Sequence, residues 1–76
     1  MEKRTDLIRK LTALQRKLDH GAIMIDAQQR VITSLTARGD NVTDAITVLT
    51  SFEEEQDRRL EEIGRLLKAL DKIPLI

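Results

Sequence analysis

Apolar residues recur along the first half of the chain at alternating spacings of three and four. They are Leu7, Leu11, Leu14, Leu18, Ile25, Ile32 and Leu35, and the same rhythm places Gly21 and Gln28 on the stripe. A seven-residue repeat with two apolar positions predicts an amphipathic helix of the coiled-coil type. We expect this helix to span residues 5–38 and to use the stripe as a packing seam.

A second apolar repeat follows Asn41 and predicts a second helix over residues 42–72. Its expected seam positions are Ile46, Leu49, Glu53, Gln56, Leu60, Ile63, Leu67 and Leu70. Phe52 precedes Glu53, and we expect its ring to supply apolar bulk beside that carboxylate. Acid-before-base pairs four residues apart support a helix by about 0.2–0.5 kcal/mol each. The pairs are Asp26 with Arg30, Glu54 with Arg58, Glu55 with Arg59, and Glu61 with Arg65.

Three residues typical of a tight turn, Gly39, Asp40 and Asn41, separate the two repeats. Glycine adopts the left-handed conformation that ends many helices, and asparagine is a preferred N-cap. So short a connection forces the helices into an antiparallel hairpin. Pro74 ends the second helix and leaves an apolar tail over residues 73–76. The sequence therefore predicts an all-α, two-helix hairpin that forms one domain over residues 1–76.

The turn region also contains two short motifs that act outside the cell. The adhesion tripeptide Arg-Gly-Asp occupies residues 38–40, and a glycosylation sequon occupies residues 41–43. Arg9 and Lys10 interrupt the first apolar residues, so we find no signal-peptide core. We therefore expect a cytoplasmic protein, and we interpret both motifs as the chemistry of a helix-to-helix turn.

Several positions around the turn form a pattern of their own: Gln28, Val31, Ile32, Leu35, Gly39, Ala45, Leu49, Phe52 and Glu53. This pattern resembles that of small uncharacterised bacterial proteins predicted to form helical hairpins. That family commonly has Asp-Thr where this chain has Asn41 and Val42, so the cap chemistry differs slightly. The resemblance implies the hairpin fold and, because the family has no established activity, implies no chemistry.

Composition argues against catalysis and ligand binding. The chain has 13 basic and 13 acidic residues, so no net charge attracts nucleic acid or a membrane. Phe52 is the only aromatic residue, and there is no cysteine to provide a thiolate, a disulfide or a metal ligand. His20 is the only histidine, and a single ligand makes a poor metal site. We expect no enzymatic activity, no cofactor, no metal and no small-molecule substrate.

Polar residues interrupt the middle of the predicted seam. Gln28, Glu53 and Gln56 fall on it and are expected to form a central polar layer, which would cost stability but fix the register of the helices. In the alternative arrangement, Phe52 covers the seam and Glu53 reaches water.

Charge is unevenly distributed along the predicted hairpin. Residues 1–18 hold six basic and two acidic side chains, and residues 63–76 hold three basic and one. Residues 39–62 hold eight acidic and two basic side chains. The open end of the hairpin is therefore basic, and the half near the turn is acidic. Two hairpins packed antiparallel would place opposite charges side by side.

A chain of 76 residues with no disulfide or metal rarely encloses a sufficient core by itself. We therefore predict a homodimer that forms a four-helix bundle and acts as an interaction or scaffold module. The apolar pattern by itself is compatible with either orientation of the two protomers. Two alternatives are that the basic end binds nucleic acid or anionic membrane, and that the apolar surface receives a different protein.

Overall fold

The computed structural model describes residues 3–74 and shows two long helices in contact. Helix α1 spans Lys3–Ala37 and helix α2 spans Thr43–Asp71. They pack side by side as a hairpin with dimensions of 61 × 15 × 15 Å. The predicted fold class is therefore confirmed, and the helix bounds differ from the expected ones by one or two residues, as such boundaries commonly do. Residues 75 and 76 of the predicted apolar tail lie outside the described residues.

The end of α1 is a Schellman motif. Gly39 has a φ angle of 75°, in the left-handed region. Its N–H donates to the carbonyl of Thr36 at 3.0 Å, and the N–H of Asp40 donates to the carbonyl of Leu35 at 2.9 Å. These two bonds satisfy carbonyl groups that the end of a helix would otherwise leave free. Glycine at residue 39 therefore directs the chain back along α1.

The start of α2 differs slightly from the prediction. Asn41 was expected to be the N-cap, but Val42 occupies that position and has no side-chain cap. The Asn41 Oδ1 atom accepts a hydrogen bond from the N–H of Thr43 at 2.8 Å, which is an Asx turn. Asparagine thus satisfies the backbone from one residue before the cap position, and α2 begins one residue later than expected.

The end of α2 is set by proline. The N–H groups of Lys72 and Ile73 donate to the carbonyls of Ala69 and Leu70, which tightens the last turn. Pro74 has no N–H with which to continue the helix. The apolar Ile73 is half-buried there, at the open end of the hairpin.

The two helices do not enclose a core. Leu7 and Leu66, each 8% exposed, are the buried apolar residues of the described chain, and no side chain in residues 3–74 is fully buried. Each helix covers only the stripe of the other that faces it. The remaining apolar side chains beside that stripe are half-buried or exposed.

The turn can be tested by exchanging glycines. Gly39→Ala forces a side chain into the left-handed region and should destabilise the protein by about 1–2 kcal/mol. Gly64 lies within α2, and a Cβ atom there would meet nothing within 4 Å. Gly64→Ala should therefore stabilise the protein by about 0.5–1 kcal/mol. Urea unfolding at one fixed protein concentration measures both, and shifts of the same sign would contradict this account of the turn.

Candidate interaction surface

Helix α1 presents the predicted stripe to α2. Leu7 and Gly21 are buried, and the other seam positions are half-buried. These half-buried residues are Leu11, Leu14, Leu18, Ile25, Gln28, Ile32 and Leu35. The spacing of apolar residues therefore predicted the face of α1 that packs against α2.

At every second position of the seam, helix α2 uses a different residue from the predicted one. Leu49, Gln56, Ile63 and Leu70 are half-buried as expected. The alternate positions are Ala45, Phe52, Arg59 and Leu66, each one residue earlier than the predicted Ile46, Glu53, Leu60 and Leu67. Ile46, Leu60 and Leu67 are 46%, 55% and 51% exposed, whereas Leu66 is 8% exposed.

This correction has a physical cause in the sequence of α2. At Ala45-Ile46 and Leu66-Leu67, two apolar residues stand together, so either could continue the repeat. The spacing alone does not choose between the two frames. The structure uses the frame that packs the Phe52 ring and the Leu66 side chain against α1. As a result, Ile46, Leu60 and Leu67 form a row along the outside of the seam.

The two long sides of the hairpin differ in chemistry. In an antiparallel helix pair, the rows that border the seam lie on opposite sides of it. One side, called here the apolar flank, contains Ile8, Gln15, Ala22, Gln29 and Thr36 of α1 and Ile46, Glu53, Leu60 and Leu67 of α2. The other side, the charged flank, contains Lys10, Lys17, Met24 and Val31 of α1 and Val48, Glu55, Glu62 and Ala69 of α2.

Open grooves on the two flanks reflect this difference. A groove of about 420 Å³ on the apolar flank is lined by Leu11, Thr12, Gln15, Arg16, Ile63 and Leu67. Another of about 400 Å³ is lined by Leu14, Glu55, Arg58, Arg59 and Glu62, and is bordered mainly by charged groups. The apolar flank is therefore the side of the hairpin that is best suited to contact a second apolar surface.

Two glutamines tie the helices together. The Gln28 Nε2 atom donates to the carbonyl of Ala45 at 2.9 Å, and the Gln56 Nε2 atom donates to the carbonyl of Leu18 at 3.0 Å. Both side chains are half-buried, where an unpaired amide would be costly. Each bond joins a side chain of one helix to the backbone of the other, so the pair restrains sliding along the seam.

The predicted central polar layer is therefore not one layer. Gln28 and Gln56 bind at separate levels, because Ala45 and Gln56 lie 11 residues apart on α2, or about 16 Å at 1.5 Å per residue. Glu53 is exposed on the apolar flank while Phe52 is half-buried in the seam. This corresponds to the alternative in which Phe52 covers the seam and Glu53 reaches water.

Gly21 makes room for the Gln56 bond. A Cβ atom at residue 21 would overlap the Gln56 amide and lie 2.9 Å from the Arg59 Nη1 atom. That Nη1 donates to the Gln56 Oε1 at 2.8 Å, and Arg59 also pairs with Glu55 at 3.3 Å. Arg59 can occupy a seam position because its neighbours satisfy its guanidinium group.

Ion pairs lie on the outer surface of the hairpin. Asp26 binds Arg30 at 2.9 Å as the spacing predicted, whereas Arg65 binds Glu62 at 2.6 Å instead of Glu61. The hydrogen bond and the charge of Glu62 raise the pKa of the exposed Arg65 guanidinium above its ordinary value. Arginine is already charged at neutral pH, so the pair has no role as a pH switch.

The sequence offered one histidine and many carboxylates as candidates for metal binding or catalysis. His20 is exposed, beside a small crevice lined by Gly21, Met24, Phe52, Glu55 and Arg59. Within residues 3–74, no three His, Cys, Asp or Glu side chains are placed to hold a metal ion. Neither described helix is long and apolar enough to cross a membrane.

Comparison with known proteins returned no match to a family model, a curated protein or a solved structure.

The contact at Gly21 predicts a reversal of the usual effect of alanine. In an ordinary helix, replacing glycine by alanine stabilises by about 0.5–1 kcal/mol. Gly21→Ala should instead destabilise, because it displaces Gln56 and with it two hydrogen bonds of about 1 kcal/mol each. In a Gln56→Ala background, Gly21→Ala should become stabilising. A double-mutant cycle in urea measures this, and simple additivity of the two substitutions would contradict it.

Proposed function

We propose that the protein is a non-enzymatic interaction module that self-associates in the cytoplasm, with two hairpins forming a four-helix bundle. One observation carries the proposal: a row of large apolar side chains lies outside the hairpin seam, and each of them is about half exposed. Ile46, Leu60 and Leu67 make up this row on α2, and Ile8, 44% exposed, lies on the same flank. A second hairpin would cover them as the core of a bundle.

The exposed area of the chain supports association. The chain exposes 5989 Å². A compact monomer of 8.7 kDa exposes about 4,700 Å², so the excess is roughly 1,300 Å². Stable protein interfaces bury about 800 Å² per partner, and obligate homodimers bury more. An excess of this size lies within the range of areas that one protomer of a permanent dimer buries.

The unpaired basic residues also favour a partner. The arginines that form ion pairs within residues 3–74 are Arg30, Arg38, Arg59 and Arg65. The basic side chains within residues 9–17 of α1 form no ion pair with the described residues. These side chains are Arg9, Lys10, Arg16 and Lys17. Their charge is available to acidic groups of another molecule.

The experiment is the solution mass, measured by light scattering after size exclusion over a range of protein concentrations. The expected result is a helical dimer near twice 8.7 kDa. Dilution should then cause dissociation together with loss of helical circular dichroism, because the single hairpin has no enclosed core. A folded monomer whose mass is independent of concentration would overturn the proposal.

The same basic residues support one alternative function, binding of nucleic acid or anionic membrane by the open end. Fluorescence anisotropy with labelled duplex DNA, and sedimentation with phosphatidylserine vesicles, distinguish it from self-association. Charge reversal at Arg9 and Lys10 would abolish such binding, and the affinity would fall steeply with salt. We favour self-association over this alternative because self-association also explains the exposed apolar row.

A further inference from the structure

We infer that the apolar flank is covered by a second copy of this chain, and that the two protomers lie antiparallel, with their turns at opposite ends of the bundle. The inference rests on the proposed self-association and adds the surface and the orientation it uses.

The choice of flank follows from the cost of burying charge. Among the nine residues that define the apolar flank, Glu53 is the only one that ionises. On the charged flank, four of the eight defining residues are ionised: Lys10, Lys17, Glu55 and Glu62. An interface there would remove four charges per protomer from water, and such desolvation often exceeds the gain from pairing. Of the residues that define the apolar flank, a second hairpin would bury one carboxylate, that of Glu53.

The orientation follows first from the row on α2. Ile46, Glu53, Leu60 and Leu67 are spaced by seven, and the centre of the row lies between residues 56 and 57. That point is also the middle of α2, which spans Thr43–Asp71. A two-fold axis there pairs Ile46 of one copy with Leu67 of the other, and Glu53 with Leu60. The row is therefore complementary to itself when α2 packs antiparallel against α2 of the other copy.

Parallel protomers pair the same row less well. With both turns at one end, two-fold symmetry places α2 of one copy against α1 of the other. The α2 row then meets the flank residues of α1 at matching heights along the hairpin. Ile46 faces the region of Gln29, and Leu60 faces the region of Gln15. Two of the three apolar residues in the row would be buried against amide groups, at a cost that the antiparallel arrangement avoids.

The charge distribution independently supports the same orientation. Antiparallel protomers lay the basic open end of each copy, with the unpaired Arg9 and Arg16, beside the acidic half of the other. Parallel protomers bring both basic ends together and both acidic halves together. Complementary potentials favour the first arrangement, and like charges oppose the second.

The flank is tested with adjacent carboxylates. Glu53 lies on the apolar flank, and Glu54 is also exposed but lies on the outer face of α2, so the two make a matched pair. Removing a charge from an interface that is otherwise apolar should tighten it, so Glu53→Leu should lower the dimer Kd by about tenfold or more. Glu54→Leu should leave the Kd within about twofold. Equal effects of the two substitutions would contradict the assignment of the flank.

A disruptive pair gives the converse test. Leu60→Glu places a charge on the apolar flank and should raise the dimer Kd by at least about tenfold. Ile23→Glu changes an even more exposed apolar residue, 67% exposed, on the outer face of α1 and should have little effect. Val48→Glu on the charged flank should also have little effect. Strong weakening by Val48→Glu without weakening by Leu60→Glu would move the interface to the other flank.

The orientation is tested by distance. The chain has no cysteine, so Ser34→Cys accepts a single spin label on an exposed residue near the turn. In the antiparallel dimer Ser34 lies about 11 residues from the two-fold axis in each copy, so the labels are about 33 Å apart along the bundle at 1.5 Å per residue. The width of the bundle increases the total distance to about 40 Å. In a parallel dimer they share one end and lie less than about 30 Å apart, the width of a labelled bundle. Pulsed electron paramagnetic resonance separates these outcomes.

Different experimental results would contradict self-association and the antiparallel orientation. A wild-type chain that remains a monomer at every concentration refutes self-association itself. A wild-type dimer with a short Ser34 distance, or with a Kd that falls as salt rises, keeps self-association and refutes the antiparallel orientation. The expected results are the long distance and a Kd that rises with salt, because screening weakens attraction between opposite charges.

Discussion

Two helices can bury only the stripe that each turns toward the other, and this geometric limit determines most properties of the protein. A helix has side chains all around its axis, but one neighbour covers about a third of them. Within residues 3–74, the covered stripe contains two buried apolar side chains, Leu7 and Leu66, together with Gly21. The free energy gained from such a seam is small beside the entropy lost on ordering more than sixty residues. The outer apolar row, which stays about half exposed in the single hairpin, adds little to that free energy.

Polar contacts give the seam its register, which apolar contacts alone would leave less defined. Leucines tolerate a shift of one heptad because the shifted position again meets leucines. A glutamine that donates to one particular carbonyl does not tolerate it. The Gln56 side chain can reach the carbonyl of Leu18 because Gly21 has no side chain. The helices must therefore pack in the register that places Gln56 opposite Gly21. The Schellman turn at Gly39 acts in the same direction, since it sets the height at which α2 begins.

The sequence predicted the fold, the turn glycine and the whole seam of α1, because each depends on spacing or on a backbone conformation that few residues adopt. It predicted only half of the α2 seam. Where Leu66 and Leu67 stand together, the repeat fits either residue, and the choice depends on how Phe52 packs across the hairpin, which no local pattern encodes. The polar layer failed for the same reason, since placing Glu53 in the seam followed from the wrong frame. The apolar flank was not predicted as an exposed surface, because Ile46, Leu60 and Leu67 had been assigned to the seam.

Glu53 is the one ionised residue among those that define the apolar flank. Its position along the row determines which register of two antiparallel copies it disfavours. In the centred antiparallel register, Glu53 of one copy lies beside Leu60 of the other, near the rim, and all four positions of the row have a partner. A slip of one heptad in one direction places Glu53 against Glu53 and leaves Leu67 uncovered. A slip in the other direction leaves Ile46 uncovered. A single carboxylate thus penalises one wrong register by like-charge repulsion, while the length of the row penalises the other by lost burial. Glu53 would therefore lower the affinity of the interface and at the same time help to fix its register, as buried polar groups do in other helical assemblies.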